Sequence, residues 1–319
     1  MTDLDKYNLN PQQFVFWLPA DNAIIHTGPE QQPVVLPHVA LPIKIADMET
    51  LENAGQGPDD NMIGEGVYDY LRQFPECLNN QEYAELLREG YPHFLADLAA
   101  HVVMLDQKDV EPSYVLRKLT YLKILRLLEP QNTGLLWQLA HGFYTLALTF
   151  TELPQVRRNL LDAMRFAQNL LKLKPEDPAA LSLLADIDIL FGDYPTAIKR
   201  LRKMLDLLTD EVMTTKVTAR LERCLEVGFP DHPLLDDLEC IGHAMQLFSA
   251  GNHALATELL ERLEEDSYFM AELKSADFLC LLGMCRIKTG DRAGAFDALS
   301  QALEMDPEHD QARSVLESL

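Results

Sequence analysis

The chain has 319 residues, 47% of them apolar and 24% charged, with a net charge of −23. That composition excludes a wholly disordered chain and a collagen-like one. The acidity argues against nucleic acid and anionic lipid as partners, since both carry the same sign of charge.

The opening MTDLDKYNLN has neither the basic start nor the apolar stretch of a secretory signal. The longest apolar run, GLLWQLAHGFYTLALTF from residue 134, falls short of a membrane span and reads as a buried helix. The cysteines, Cys77, Cys224, Cys240, Cys280 and Cys285, are odd in number and form no C-x-x-C, so no disulfide framework follows. Cys280 and Cys285 read as small core residues in a reducing compartment. A cytoplasmic, membrane-free protein is the expectation.

Residues 1–65 are set apart by Pro11, Pro19, Pro29, Pro33, Pro37, Pro42 and Pro58. Between them lie apolar words too short and too proline-broken for helices. FVFWL and AIIHT, joined by PADN, are predicted to form a small hairpin. The rest of this segment is expected to be an extended arm ending in the loop GQGPDDN.

From about residue 66 the texture is helical. Residues 66–132 are expected to form a helical cap, with helices over 91–106 and 113–128 whose apolar residues recur every three or four positions. Tyr83, Tyr91, His93 and Phe94 form an aromatic cluster read as part of this cap. Residues 133–319 continue as helices divided by short turns such as FGDYP, AGN and KTGD.

These last helices repeat. In 276–319, Leu279, Leu282, Gly283, Ala295, Leu299, Ala302 and Pro307 fit a helix–turn–helix unit of about 34 residues. Gly283 permits close approach of the paired helix, Gly290 and Asp291 turn the chain, and Ala295 sits at the crossing. Residues 178–211 repeat this with Leu181, Leu184, Ala185, the turn Gly192-Asp193, Ala197 and Leu201, and with Thr209 in place of the proline. Residues 237–270 repeat it with His243, Ala244, Leu247, the turn Gly251-Asn252, Ala256 and Leu260. A divergent copy starts at Gly134, with Trp137, Ala140, His141 and Tyr144, then Ala163, Leu170 and Pro175, and about ten extra residues around its turn.

This pattern resembles the tetratricopeptide repeat family over residues 134–319. The resemblance implies an all-α, right-handed solenoid of helical hairpins, about four repeats long, following the N-terminal arm. Stacking buries the apolar face that each hairpin cannot bury alone and leaves a concave groove lined by first helices. By the family's groove positions, that lining would include Gln138 in the first copy, then Ser182 and Asp186. It would continue with Ile241, Met245 and Phe248, and then Asp277, Cys280, Met284 and Ile287. The lining is mostly apolar, with isolated acids. It suits an amphipathic partner segment with basic flanks. The lysine, arginine and asparagine with which some family members grip a carboxylate are absent from these positions. The same residues equally suit an added helix, or the chain's own VVLPHVALPIKI as an internal occupant, which two protomers could also exchange to make a homodimer through the arm.

No catalytic set is present: there is no GxGxxG, P-loop, GxSxG or HExxH. His93 and His101 lie eight residues apart, off a common helix face, and are not placed as metal ligands. Asp186 and Asp188 point different ways on a helix. No cofactor or metal is expected. The function read from the sequence is a non-catalytic protein-interaction module acting as adaptor, scaffold or dedicated chaperone. Its alternatives are a chaperone like those of type III secretion, and an accessory subunit of an enzyme with a site near the N-terminal region.

Overall fold

The computed structural model describes residues 11–28, 30–47, 57–106, 111–225 and 232–319. The chain divides into two compact units, Met1–Leu139 and Ala140–Leu319.

In the first unit, β1 (Phe14–Trp17) pairs antiparallel with β4 (Leu41–Lys44), and β2 (Ile24–Thr27) pairs with β3 (Gln32–Val35). A short hairpin is therefore present, but it joins β2 to β3. The predicted pairing of FVFWL with AIIHT is corrected: PADN does turn, with Ala23 N–H donating to Ala20 O at 3.1 Å, yet β1 takes β4 as its neighbour. The reason is burial. Leu41 and Ile43 are fully buried, and β4 lies on α1 (Asp60–Gln73). A distant strand that fills the core wins over a local turn partner.

The strands are thus not a free arm. β4 rests on α1, and β3 meets α2 (Asn80–Gly90). A Cβ on Gly66 would stand 2.1 Å from the Pro42 carbonyl oxygen, so only glycine lets that backbone approach α1. Tyr83 donates its hydroxyl to the Ala40 carbonyl, and Lys44 reaches Glu65 and Asp69 at 2.9 and 2.7 Å. The segment proposed as an internal occupant of the groove, residues 34–45, is seated on helices of its own unit. Two further helices follow, α3 (Pro92–Asp106) and α4 (Pro112–Leu128), which pack on each other and on α2. The aromatic cluster joins them: Tyr68 stacks on Phe94 at 4.4 Å, and the Arg72 guanidinium lies 5.1 Å from the Tyr68 ring and 5.6 Å from that of Tyr121.

Helix α5 (Thr133–Ala147) is followed by a 3₁₀ segment, Phe150–Gln155, and α6 (Val156–Leu173). In the second unit three hairpins have the anticipated register. They are α7 (Pro178–Leu190) with α8 (Tyr194–Leu207), α10 (Leu234–Ser249) with α11 (His253–Glu265), and α13 (Ala276–Thr289) with α14 (Arg292–Met305). Their turn glycines, Gly192, Gly251 and Gly290, all have positive φ, between 75° and 93°. The crossing alanines Ala163, Ala197, Ala256 and Ala295 are fully buried. A Cβ on Gly283 would lie 2.7 Å from Leu299 Cγ, which is why that helix pair needs glycine there. One detail is corrected. His141, aligned with the small packed position, is exposed, and Ala140 beside it is fully buried.

Two features of the stacking lie outside the repeat pattern. After α8 comes α9 (Glu211–Leu225), which packs on α8. Helix α10 then packs on the 3₁₀ segment, α6 and α7. Gly242 is the contact point, where a Cβ would stand 2.6 Å from the Leu153 carbonyl oxygen. Arg157 of α6 clamps the same helix through Glu239 at 2.5 Å and Asp236 at 3.2 Å. The extra residues at the first turn thus form the platform on which α10 sits. The last hairpins are held by Arg286 of α13, which meets Glu264 at 2.6 Å and Glu261 at 3.1 Å on α11. A final helix, α15 (Asp310–Glu317), closes on α13 and α14.

Candidate partner-binding face

The anticipated lining residues sit on first helices, whose starts are fixed locally. Asp177 caps α7 by accepting from Ala180 N–H at 3.0 Å, and Ser275 caps α13 by accepting from Phe278 N–H at 3.1 Å. These caps fix where each helix begins.

On α7, Ser182 and Asp186 are half-buried and share one partner, Arg220 of α9. Its guanidinium donates to Ser182 Oγ at 3.1 Å and to the Asp186 carboxylate. Asp186 and Arg220 are 34 residues apart, one repeat length, so α9 meets α7 at the repeat period although it is not half of a hairpin like the others. Tyr144 of α5 belongs to this cluster electrostatically. Burial raises its hydroxyl pKa, and Arg220 pulls it part of the way back. Burial in turn lowers the Arg220 pKa. Counting one repeat on from α7 also brings Met213, Lys216 and Arg223 to the lining positions of α9. Met213, Lys216 and Arg223 are exposed, and Arg223 pairs with Glu272 of α12 (Ser267–Glu272). The sequence reading expects helix here but assigns α9 to no repeat, because it lacks the small residue and turn of the other copies. The period alone, counted from residue 178, would have found it.

On α10, Ile241 is only 2% exposed, while Met245 and Phe248 are half-buried, with the Phe248 ring 4.9 Å from the His253 imidazole. On α13, Cys280 is 2% exposed, and burial followed by the Asp277 charge pushes its thiol up to about 11. Met284 and Ile287 are half-buried, and Asp277 is exposed. Helix α15 brings two of these together: His309 lies 3.2 Å from Asp277, and Gln311 donates to Met284 Sδ at 3.4 Å. Gln138, on α5 in the first unit, is exposed.

Chemically, the face divides. Around α7 and α9 it is polar and charged. Along α10 and α13 it presents thioether and aromatic surface. Among the described residues no group of three His, Cys, Asp or Glu side chains is placed to hold a metal ion. No described helix is long and apolar enough to cross a membrane.

No protein-family model matches the chain, and no curated protein matches it. Among solved structures it is similar to a thermophilic tetratricopeptide repeat protein of Thermus thermophilus, with 14% identity and a TM-score of 0.28, covering 70% of this chain and 97% of that one. It is also similar to a tetratricopeptide repeat protein of Parabacteroides merdae, with 14% identity and a TM-score of 0.26, covering 86% of this chain and 96% of that one. At these scores the likenesses carry no weight of their own. The repeat reading rests on the buried alanines, the turn glycines and the Gly283 contact described above.

Proposed function

We propose that the chain is a non-catalytic interaction module that binds a segment of another protein along the first-helix face of its second unit. One observation carries this reading. At equivalent repeat positions, Met245 and Phe248 on α10 and Met284 and Ile287 on α13 stay partly open, while Ala244 and Gly283, their chain neighbours, are buried. Partly open methionine and aromatic side chains offer an adaptable apolar surface for partner anchors. The exposed carboxylate of Asp277, in a chain of net charge −23, favours basic residues flanking those anchors. The occupant is therefore an amphipathic protein segment with basic flanks, bound in a cytoplasmic setting by an adaptor or dedicated chaperone.

The test is affinity capture from native lysate with the tagged full chain, beside Met245→Glu and Met284→Glu, at low and high salt. The expected result is one abundant protein lost with both variants and weakened by salt, while their circular dichroism stays unchanged. Capture unaffected by either variant would remove the first-helix face from the proposal. Co-expression that keeps the captured protein soluble would select the chaperone role over the adaptor role.

A further inference from the structure

Helices α6 and α8 of the second unit carry a charge opposite to that of the whole chain. Residues 156–174 hold five cations and one carboxylate, and residues 194–205 hold four cations and no carboxylate, in a chain of net charge −23. On α6, Arg158, Leu161, Arg165, Gln168 and Lys172 recur every three or four residues, and all are exposed. That spacing makes one stripe along the helix, opposite the buried Leu160, Ala163, Ala167 and Leu170. On α8, the exposed Lys199, Arg202 and Lys203 form an outward face opposite Ala197, Leu201 and Met204. Lys203 donates to the Pro175 carbonyl at 2.7 Å, which sets this face beside the end of α6, where Lys172 and Lys174 stand exposed. Other cations of the unit are tied to its own carboxylates, Arg157 to Glu239, Arg200 to Asp188 and Arg286 to Glu264. Among the described residues no carboxylate pairs with Arg158, Lys172, Lys199, Arg202 or Lys203. Arg165 reaches Asp162 of its own helix at 2.9 Å, Glu176 follows Lys174, and Asp206 ends the α8 face.

We propose that this outer ridge of α6 and α8 is a second docking surface, which takes an acidic amphipathic segment of another protein. The occupant is argued from charge complementarity and from what lies between the charges. Cations gathered on one face without carboxylates of their own favour an acidic segment and repel the basic-flanked one assigned to the first-helix face. Leu161, 49% exposed, sits between Arg158 and Arg165 on the stripe, and Leu173, 42% exposed, follows Lys172. Apolar side chains among the cations match a segment that mixes acids with apolar residues. They do not match a nucleic acid. The aromatic residues of these two helices, Phe166 and Tyr194, are buried, so neither helix offers a ring on which a base could stack. The −23 of the whole chain also opposes a long polyanion more than a short segment held on one face. The ridge contains none of the lining residues of the first-helix face, so it stands or falls apart from that reading.

The experiment measures binding of the full chain to three probes. They are a labelled synthetic helix with glutamate and leucine along one face, labelled oligouridylate, and vesicles of phosphatidylserine in phosphatidylcholine. Anisotropy reads the first two and co-sedimentation the third. The variants are Arg158→Glu/Lys172→Glu on α6 and Lys199→Glu/Arg202→Glu on α8. The control is Lys288→Glu/Arg292→Glu, which reverses two exposed cations of the last hairpin and changes the net charge equally. The peptide should bind the natural chain, weaken as salt is raised, and lose about tenfold in affinity with either ridge variant. The control and Met284→Glu should lose far less. No peptide binding at low salt overturns the proposal. Ridge variants that lose no more than the control overturn the ridge as its place. Oligouridylate or vesicles bound more tightly than the peptide overturn a protein segment as the occupant. The two ridge variants are independent, so the test stands on either one if the other fails to fold.

Discussion

Arg220 donates to the carboxylate of Asp186, one repeat length away, and to Ser182 on the same helix. The guanidinium therefore links α9 to α7. Arg220→Ala should leave a half-buried carboxylate without its cation and cost about 1–2 kcal/mol in urea unfolding. Asp186→Asn should cost less. The double variant should cost less than the sum, with a coupling of about 0.5–1.5 kcal/mol. Strict additivity would mean that the pair does not hold the two helices together.

Gly242 carries a different constraint. With the Leu153 carbonyl 2.6 Å from where a Cβ would stand, Gly242→Ala must push α10 off its platform. A loss of about 1–3 kcal/mol is expected, as for other overpacked sites. Gly251→Ala is the comparison. It has open space but a φ of +82°, so its cost should be about 1–2 kcal/mol and should leave the α10 contact intact. Hydrogen exchange over α6 and α10 separates them: only Gly242→Ala should raise exchange in both helices.

Tyr83 ties the strand segment to α2 through the Ala40 carbonyl. Tyr83→Phe removes one hydrogen bond and little volume, and should cost about 1 kcal/mol. Limited proteolysis should then cut within residues 30–47 sooner than in the natural chain, with the helices of the second unit unaffected. Equal cleavage rates would show that burial of Leu41 and Ile43 suffices to hold the segment.

His232, just before α10, lies 2.7 Å from Asp237, which is 4% exposed. The hydrogen bond to Asp237 raises the histidine pKa, and burial raises that of the Asp237 carboxyl. A histidine raised above its unfolded value adds stability that is complete below about pH 6.5 and fades as pH climbs through the higher native value. The raised carboxyl has the same sign, but its window starts at the ordinary carboxylate value, below that of the histidine, and it is present in His232→Gln as well. The melting temperature of the natural chain should therefore exceed that of His232→Gln most at mildly acidic pH, and the gap should narrow as pH rises past neutrality. A gap that widens with pH would reverse the assignment.

How far the sequence reached is seen in particular residues. Ala197, Ala256, Ala295 and Gly283 announced the hairpins because a helix crossing admits only small side chains, and that requirement is local and periodic. The turn glycines announced themselves for the same reason, since positive φ belongs to a single residue. The strand order was different. PADN is a good turn, but β1 chose β4 because Leu41 and Ile43 needed α1, and no local preference encodes a partner that far along the chain. Helix α9 was hidden because it keeps the period without the signature residues, and only the Arg220–Asp186 contact reveals its register. The platform under α10 was legible as extra length, but not as a docking site.

The helical hairpins and their turns follow from local chemistry, because sterics at glycine and alanine act within one hairpin. Which lining residues stay open depends instead on packing between elements far apart in the chain. Met245 and Phe248 remain partly exposed, Ile241 and Cys280 are buried, and Asp277 and Met284 lie against α15. All of these occupy lining positions in their repeats. They differ only in what other elements pack beside them, and packing between elements distant in the chain leaves no mark on the repeat pattern.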